Sequence, residues 1–316
     1  MATVEEVTEL PVLPDSVLLR VLELLPLRDR LRAARVCRRW QRLALDRAVW
    51  RDVDLSPHRL TSQTLWHLVR RRLRDSLRTL RLRGALGSGG KRRLLSPPLL
   101  AALGERCPHL GRLALADADL RPLPYDTIPA SLTALELTRC EIPAAWFRAS
   151  SARAPPRLQH LVIRNVPAFS DRHLLNVSSL NPLKTLSLCG TYRVTDTGIQ
   201  RASPHLEALE HLVLRHCVIG DSAADFLGRH AKRLRILEIG DACSLTDAGL
   251  ASLATLQLLE SLCLDLGYQI SPGAVIALCR ALPQLRNLRL GGAHLEDEVM
   301  GEIQASLPRC SCSPAP

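Results

Sequence analysis

Several absences narrow the possibilities first. No run of apolar residues reaches the roughly eighteen a membrane helix needs, because Arg, Glu or Asp interrupts each one. A membrane partner is therefore not expected. Met1 to Leu10 carries Glu5, Glu6 and Glu9 where an export signal would have positive charge and an apolar stretch, which gives cytoplasm or nucleus as the expected location. In those compartments the ten cysteines read as free thiols and not as a disulfide framework. There is no Gly-rich phosphate loop and no nucleophile elbow. Cys310 and Cys312, with His294 the nearest histidine, fall short of four paired zinc ligands. No catalytic residue, cofactor or metal is expected.

What remains is an ordinary globular composition, with 47% hydrophobic and 23% charged residues in 316. The net charge of +11 is unevenly placed. Residues 56–100 hold eleven Lys and Arg against Asp75 alone, whereas 101–316 balance at twenty-one of each sign. One segment is basic, and the rest of the protein is not. Arg70, Arg71, Arg72 and Arg74 fall on a helix expected from about Ser62, and Arg78, Arg81, Arg83, Lys91, Arg92 and Arg93 follow. Such cations suit an acidic or phosphorylated partner. Nucleic acid would also ask for stacking aromatics, and Trp66 is the one aromatic between 56 and 100.

The strongest signal is an internal repeat. The pattern Leu-x-x-Leu-x-Leu, with Ile in some last positions, recurs nine times, from Leu77-Leu80-Leu82 to Leu285-Leu288-Leu290. Its middle residues, Leu80, Leu113, Leu135, Leu161, Leu186, Leu212, Leu237, Leu262 and Leu288, are spaced 33, 22, 26, 25, 26, 25, 25 and 26. The long first interval contains Gly87-Ser88-Gly89-Gly90, which reads as a surface insertion.

Alternation in Leu-x-Leu puts both leucines on one face of a short strand. Ser170-Asp171, Thr195-Asp196, Thr246-Asp247 and Ser271-Pro272 then offer helix-start chemistry, so each repeat is expected to continue into a helix. One strand and one helix cannot bury their own apolar faces, so neighbours must stack. The expected fold is an α/β solenoid with a curved parallel sheet inside and helices outside. This pattern resembles the leucine-rich repeat, and its period resembles the cysteine-containing class, although Val166, Thr191 and Gly267 stand where that class has Cys.

Residues 11–55 read differently. Pro14 and Pro26 bracket a first helix whose apolar residues form two stripes, one of Leu18, Leu22 and Leu25 and the other of Val17, Val21 and Leu24. A small module can bury one stripe against its own helices, and the second needs another cover. Leu13-Pro14, Leu25-Pro26, Arg28-Asp29-Arg30-Leu31, Val36-Cys37-Arg38-Arg39-Trp40 and Trp50 together resemble the F-box, with Ser16 where many F-boxes have Glu. An F-box before such repeats resembles the F-box/leucine-rich-repeat family.

That resemblance implies a non-catalytic substrate-recognition subunit of a Skp–cullin–F-box ubiquitin ligase, the F-box docking a Skp-type adaptor and through it a cullin–RING scaffold. The implied adaptor contacts are Leu13, Pro14, Val17, Leu18, Val21, Leu24, Leu25, Pro26, Val36, Cys37, Trp40, Leu43 and Trp50. Target proteins, acidic or phosphorylated, would meet the residues between the repeat leucines: Arg81, Arg83, Arg112, Glu136, His160, Arg164, His211, Arg215, Glu238, Asp265 and Arg289. The alternative is a leucine-rich-repeat scaffold that binds nucleic acid through 56–100. The expected division is a flexible amino end at 1–10, an F-box at 11–55, repeats at 56–307 and a disordered tail at 308–316.

Overall fold

In a computed structural model, described at residues 13–86, 93–148, 155–240, 244–265, 269–291, 301, 303–305 and 310–314, the leucine pattern becomes a ladder. The strands are β1 (Asp52–Asp54), β2 (Thr79–Arg83), β3 (Arg112–Ala116), β4 (Ala134–Thr138), β5 (His160–Arg164), β6 (Thr185–Cys189), β7 (His211–Arg215), β8 (Ile236–Gly240), β9 (Ser261–Asp265), β10 (Asn287–Gly291) and β11 (Ser311–Pro314). They form one parallel sheet in chain order. Register places Leu161 beside Leu186 and Leu186 beside Leu212, so the middle leucines stack in a buried column about 4.8 Å apart.

Two strands were invisible to the leucine pattern. β1 pairs with β2, so the end of the expected F-box segment already belongs to the sheet. β11 pairs with β10, so the expected disordered tail at 308–316 supplies an edge strand at 311–314 instead. The expected flexible end at 1–10 and most of the glycine-rich insertion lie outside the described residues.

Helices α1 (Asp15–Leu24), α2 (Leu27–Ala33) and α3 (Arg38–Ala44) form the amino-terminal bundle. Along the outer face run α4 (Ser62–Arg71), α5 (Pro97–Arg106), α6 (Asp171–Leu180), α7 (Asp196–Ala202), α8 (Asp221–His230), α9 (Asp247–Leu253) and α10 (Pro272–Ala281). Arg106 of α5 donates to the carbonyls of Val69 and Arg70 at 2.9 and 2.8 Å, satisfying the free end of α4.

The expectation of a helix in every repeat fails after β3 and β4. Among the described residues that stretch holds a 3-10 turn at Tyr125–Thr127 and no α-helix. Pro122, Pro124, Pro129 and Pro143 lack the amide a helix interior needs. Aromatic rings fill the space instead: Trp146 and Phe147 lie 4.9 Å apart, and Phe147 and Phe169 lie 6.0 Å apart. Buried His173 stacks on Phe169 and bonds through Nε2 to the Pro143 carbonyl at 2.9 Å.

Helix starts are tied across repeats. Asp171, Asp221 and Asp247 each accept from both the backbone amide and the hydroxyl of the next repeat's Thr195, Thr246 or Ser271, at 2.6–2.8 Å. Thr246 and Ser271 also cap their own helices, as their sequence suggests, whereas Thr195 does not.

Candidate docking surface of the amino-terminal bundle

The bundle is pinned at both ends of α1. Asp15, the first helical residue, accepts from Arg39 Nε at 2.8 Å and Arg42 Nη2 at 2.7 Å, which ties α1 to α3. The Arg39 hydrogen bond is the main reason the Asp15 carboxyl sits below its usual pKa. At the other end lies Arg30, 4% exposed. Its guanidinium donates to the carbonyls of Leu22, Glu23 and Leu25 at 3.1, 3.2 and 3.1 Å, and also to that of Val49. A helix carboxyl end leaves carbonyls unpaired and favours a cation. Arg30 meets both needs and fastens α1 to the turn at Ala48–Trp50. In the sequence Arg30 stands out only as one of the F-box landmarks; the signal for its buried role is a basic residue soon after a helix end.

The two stripes of α1 have different fates. Leu18 and Leu22 are buried, and Leu25 packs half-buried against the same core. Val17 and Val21 are each 43% exposed, Leu13 is 47% exposed and Leu24 is 86% exposed. Spacings of four and three put Val17, Val21 and Leu24 on one side of the helix, and Leu13 lies just before its start. Leu31 and Val36 are exposed as well, and Leu31 was not among the expected contacts.

The remaining expected adaptor contacts divide the same way. Pro14, Pro26 and Cys37 are exposed, and Trp40 is half-buried. Leu18, Leu43 and Trp50 are covered by the chain itself. Trp50 donates from Nε1 to the Ala44 carbonyl at 3.0 Å, so it serves the seam between bundle and sheet.

On the concave face all eleven residues expected to meet a target retain exposure, because alternation sends the leucines to the other side. They are not brought into one cluster. Arg81 and Arg83 lie on β2 and Arg112 on β3, Glu136 on β4, His160 and Arg164 on β5, His211 and Arg215 on β7, Glu238 on β8, Asp265 on β9 and Arg289 on β10. Several neutralise each other: Glu238 lies 3.2 Å from Arg215 and 4.0 Å from Arg289, and Arg164 lies 3.8 Å from Glu136. Arg83 pairs with Asp117 at 2.7 Å.

A family model for F-box-like domains matches residues 10–56, and one for a leucine-rich repeat matches residues 205–228. The chain is 40% identical to human F-box/LRR-repeat protein 12 over 306 residues, covering 94% of this chain and 93% of that protein. The chain belongs to the F-box/LRR-repeat family. Mouse F-box/LRR-repeat protein 12 is 38% identical over the same share of each chain. Among solved structures, an internalin from Listeria monocytogenes is 17% identical with a TM-score of 0.49, covering 86% of this chain and 70% of that one.

In this F-box/LRR-repeat protein the basic segment is not one patch. Arg70 lies over the Trp66 ring at 4.9 Å on the outer layer, while Arg81 and Arg83 sit on the inner face of the sheet. Arg93 reaches Asp119 at 3.6 Å. Burial pushes Cys107 and Cys140 up to about 11 and also raises Cys217, the reverse of what a thiolate nucleophile needs.

Proposed function

We propose that this protein is the substrate-recognition subunit of a Skp–cullin–F-box ubiquitin ligase, working in the cytoplasm or nucleus. The observation that carries the reading is the exposed stripe of Val17, Val21 and Leu24 on a helix whose neighbouring stripe is buried, with exposed Leu13 just before the helix. Large apolar side chains aligned on one helix face mark a surface meant to be covered. Membership of the F-box/LRR-repeat family supports a Skp-type adaptor as that cover.

The repeats then present the target protein on the concave face. The chain itself performs no bond chemistry in this scheme. It holds target lysines near a charged conjugating enzyme, so the rate gain comes from local concentration and orientation.

Co-expression of the full chain with a Skp-type adaptor tests this. The two should co-elute on size exclusion, and Val21→Glu with Leu24→Arg should abolish co-elution while the thermal unfolding of the repeats stays unchanged. Covering one exposed leucine is worth about 1.5–3 kcal/mol, so Leu24→Arg alone should weaken binding at least about tenfold. A wild-type chain that elutes alone and instead retains oligonucleotide would overturn the reading.

A further inference from the structure

The inner face carries the same motif on two strands with a contrasting strand between them. β5 reads His160-Leu161-Val162-Ile163-Arg164 and β7 reads His211-Leu212-Val213-Leu214-Arg215. Between them β6 reads Thr185-Leu186-Ser187-Leu188-Cys189. Register aligns His160 with Thr185 and His211, then Val162 with Ser187 and Val213, then Arg164 with Cys189 and Arg215. The leucines and Ile163 point into the core, and the aligned triplets face outward, each residue retaining some exposure.

Large side chains rise from the two outer strands and small ones from the middle strand, so β6 is the floor of a trough. Its walls stand two strand spacings apart, roughly 9.6 Å, and its five-residue floor is about 13 Å long. That is room for one extended chain.

The chemistry changes along its length. At one end stand Arg164 and Arg215 on either side of Cys189. Arg164 has Glu136 at 3.8 Å on the strand beyond its wall, and Arg215 has Glu238 at 3.2 Å and lies within electrostatic reach of Asp265 as well. With those charges already partly matched, the pair suits one further single negative charge better than a doubly charged phosphate. Valines line the middle. At the far end His160 bonds to Thr185 at 2.9 Å, and His211 Nε2 is buried with no hydrogen-bond partner among the described residues.

A second observation marks the arginine end. Among the described residues, four large apolar side chains outside the bundle are strongly exposed: Leu180, Tyr192, Val218 and Leu258. Tyr192 and Val218 lie three residues beyond Cys189 and Arg215, on the adjacent loops that leave β6 and β7. Both loops leave the arginine end of the trough, Val218 bridging in parallel to Thr195 just before α7.

We infer that this trough holds an extended segment of a partner protein, with an Asp or Glu side chain between Arg164 and Arg215 and an apolar neighbour against Tyr192 and Val218. The inference rests on the reading of the repeats as the target-binding face and gives that face a location and a ligand class.

The test uses the full chain, immobilised, and a phage-displayed library of random heptapeptides. Selected peptides should share an acidic residue beside an apolar one. Arg164→Ala with Arg215→Ala should weaken the best synthetic peptide at least tenfold. Ser187→Trp, which fills the floor and leaves the charges in place, should do the same. Replacing the acidic residue by phosphoserine should not tighten binding. Absence of a shared acidic motif, binding that survives both variants, or tighter binding of the phosphoserine peptide would overturn the inference. Adaptor retention is scored on the same samples. Loss of adaptor with peptide binding intact would contradict the receptor reading and leave the trough standing; adaptor retained without an acidic motif would remove the trough alone.

Discussion

Asp221 and Gly249 are fitted to each other: a Cβ on residue 249 would lie 2.2 Å from Asp221 Oδ1. Asp171 and Gly198 stand in the same relation one pair of repeats earlier, at 2.1 Å. The aspartate of one repeat leans over the next helix start to reach the amide and hydroxyl of its Thr, and glycine two residues after the next Asp clears the space. A glycine inside a helix costs about 0.5–1 kcal/mol relative to alanine. Here the hydrogen bonds between repeats offset that cost.

Gly249→Ala should therefore destabilise the fold by about 1–3 kcal/mol, the range for overpacking a fixed site, although alanine is the better helix former. Adding Asp221→Ala removes the obstructing carboxylate. Urea unfolding of the two single variants and the double should give a double-variant loss clearly smaller than the sum of the single losses. Strict additivity would mean that the two residues are not coupled.

Arg30→Met should unfold the bundle before the repeats. It leaves the carbonyls of Leu22, Glu23, Leu25 and Val49 without their shared donor, at about 1–3 kcal/mol for each group that water cannot reach. Thermal unfolding followed by Trp fluorescence should show a new low-temperature phase, with the main transition little moved. Arg30→Lys should not restore the wild-type curve, because one ammonium cannot reproduce the planar fork.

How far the sequence predicted this depends on where one looks. The columns from Leu80 to Leu288 were legible because each strand repeats one pattern at nearly constant spacing. The two stripes of α1 were legible because Val17-Val21-Leu24 and Leu18-Leu22-Leu25 differ by one residue, about 100° around a helix, but which of them faces outward was not. β1 was missed because Trp50 and Val53 stand where the first two leucines belong and Leu55 alone keeps the pattern. β11 was missed because Arg309, Cys312 and Pro314 occupy it. Asp117, Arg139, Asn165, Gly190 and His216, each following its strand, all have positive φ. Only Gly190 among them announces that conformation strongly, and the others are held there by the stacked turns.

Leu186→Ala should cost about 2–5 kcal/mol, since it opens a cavity in the buried column. Ser187→Ala, one residue away and facing outward, should change stability by no more than about 0.5 kcal/mol. Chemical denaturation of the pair checks the alternation directly.

Acid should act in two stages. Burial holds His173 below its usual 6.5, so the unfolded chain takes up this proton more readily. Stability should begin to fall as pH drops below about 6.5 and continue falling through the depressed folded value. Asp15, Asp117, Asp119 and Asp247 lie below their usual 3.8, held by Arg39, Arg139, Arg121 and Ser271 first among their partners. Their contribution is complete above the unfolded value and is lost as pH falls through the folded ones. Denaturation midpoints measured from pH 8 to pH 3 should show a shallow decline and then a steep one. His160 is also held below 6.5, chiefly by burial, and shares the first stage, so His173→Gln should lessen that stage and leave the second unchanged.

Hydroxyl-radical footprinting of the full chain, alone and with a Skp-type adaptor, most directly addresses whether the uncovered stripe of α1 is the docking surface. Side-chain oxidation read by mass spectrometry should fall at Leu13, Val17, Val21 and Leu24 when the adaptor is added, and stay low and unchanged at Leu18 and Leu22. Oxidation at Val21 and Leu24 that is the same with and without adaptor would contradict the account.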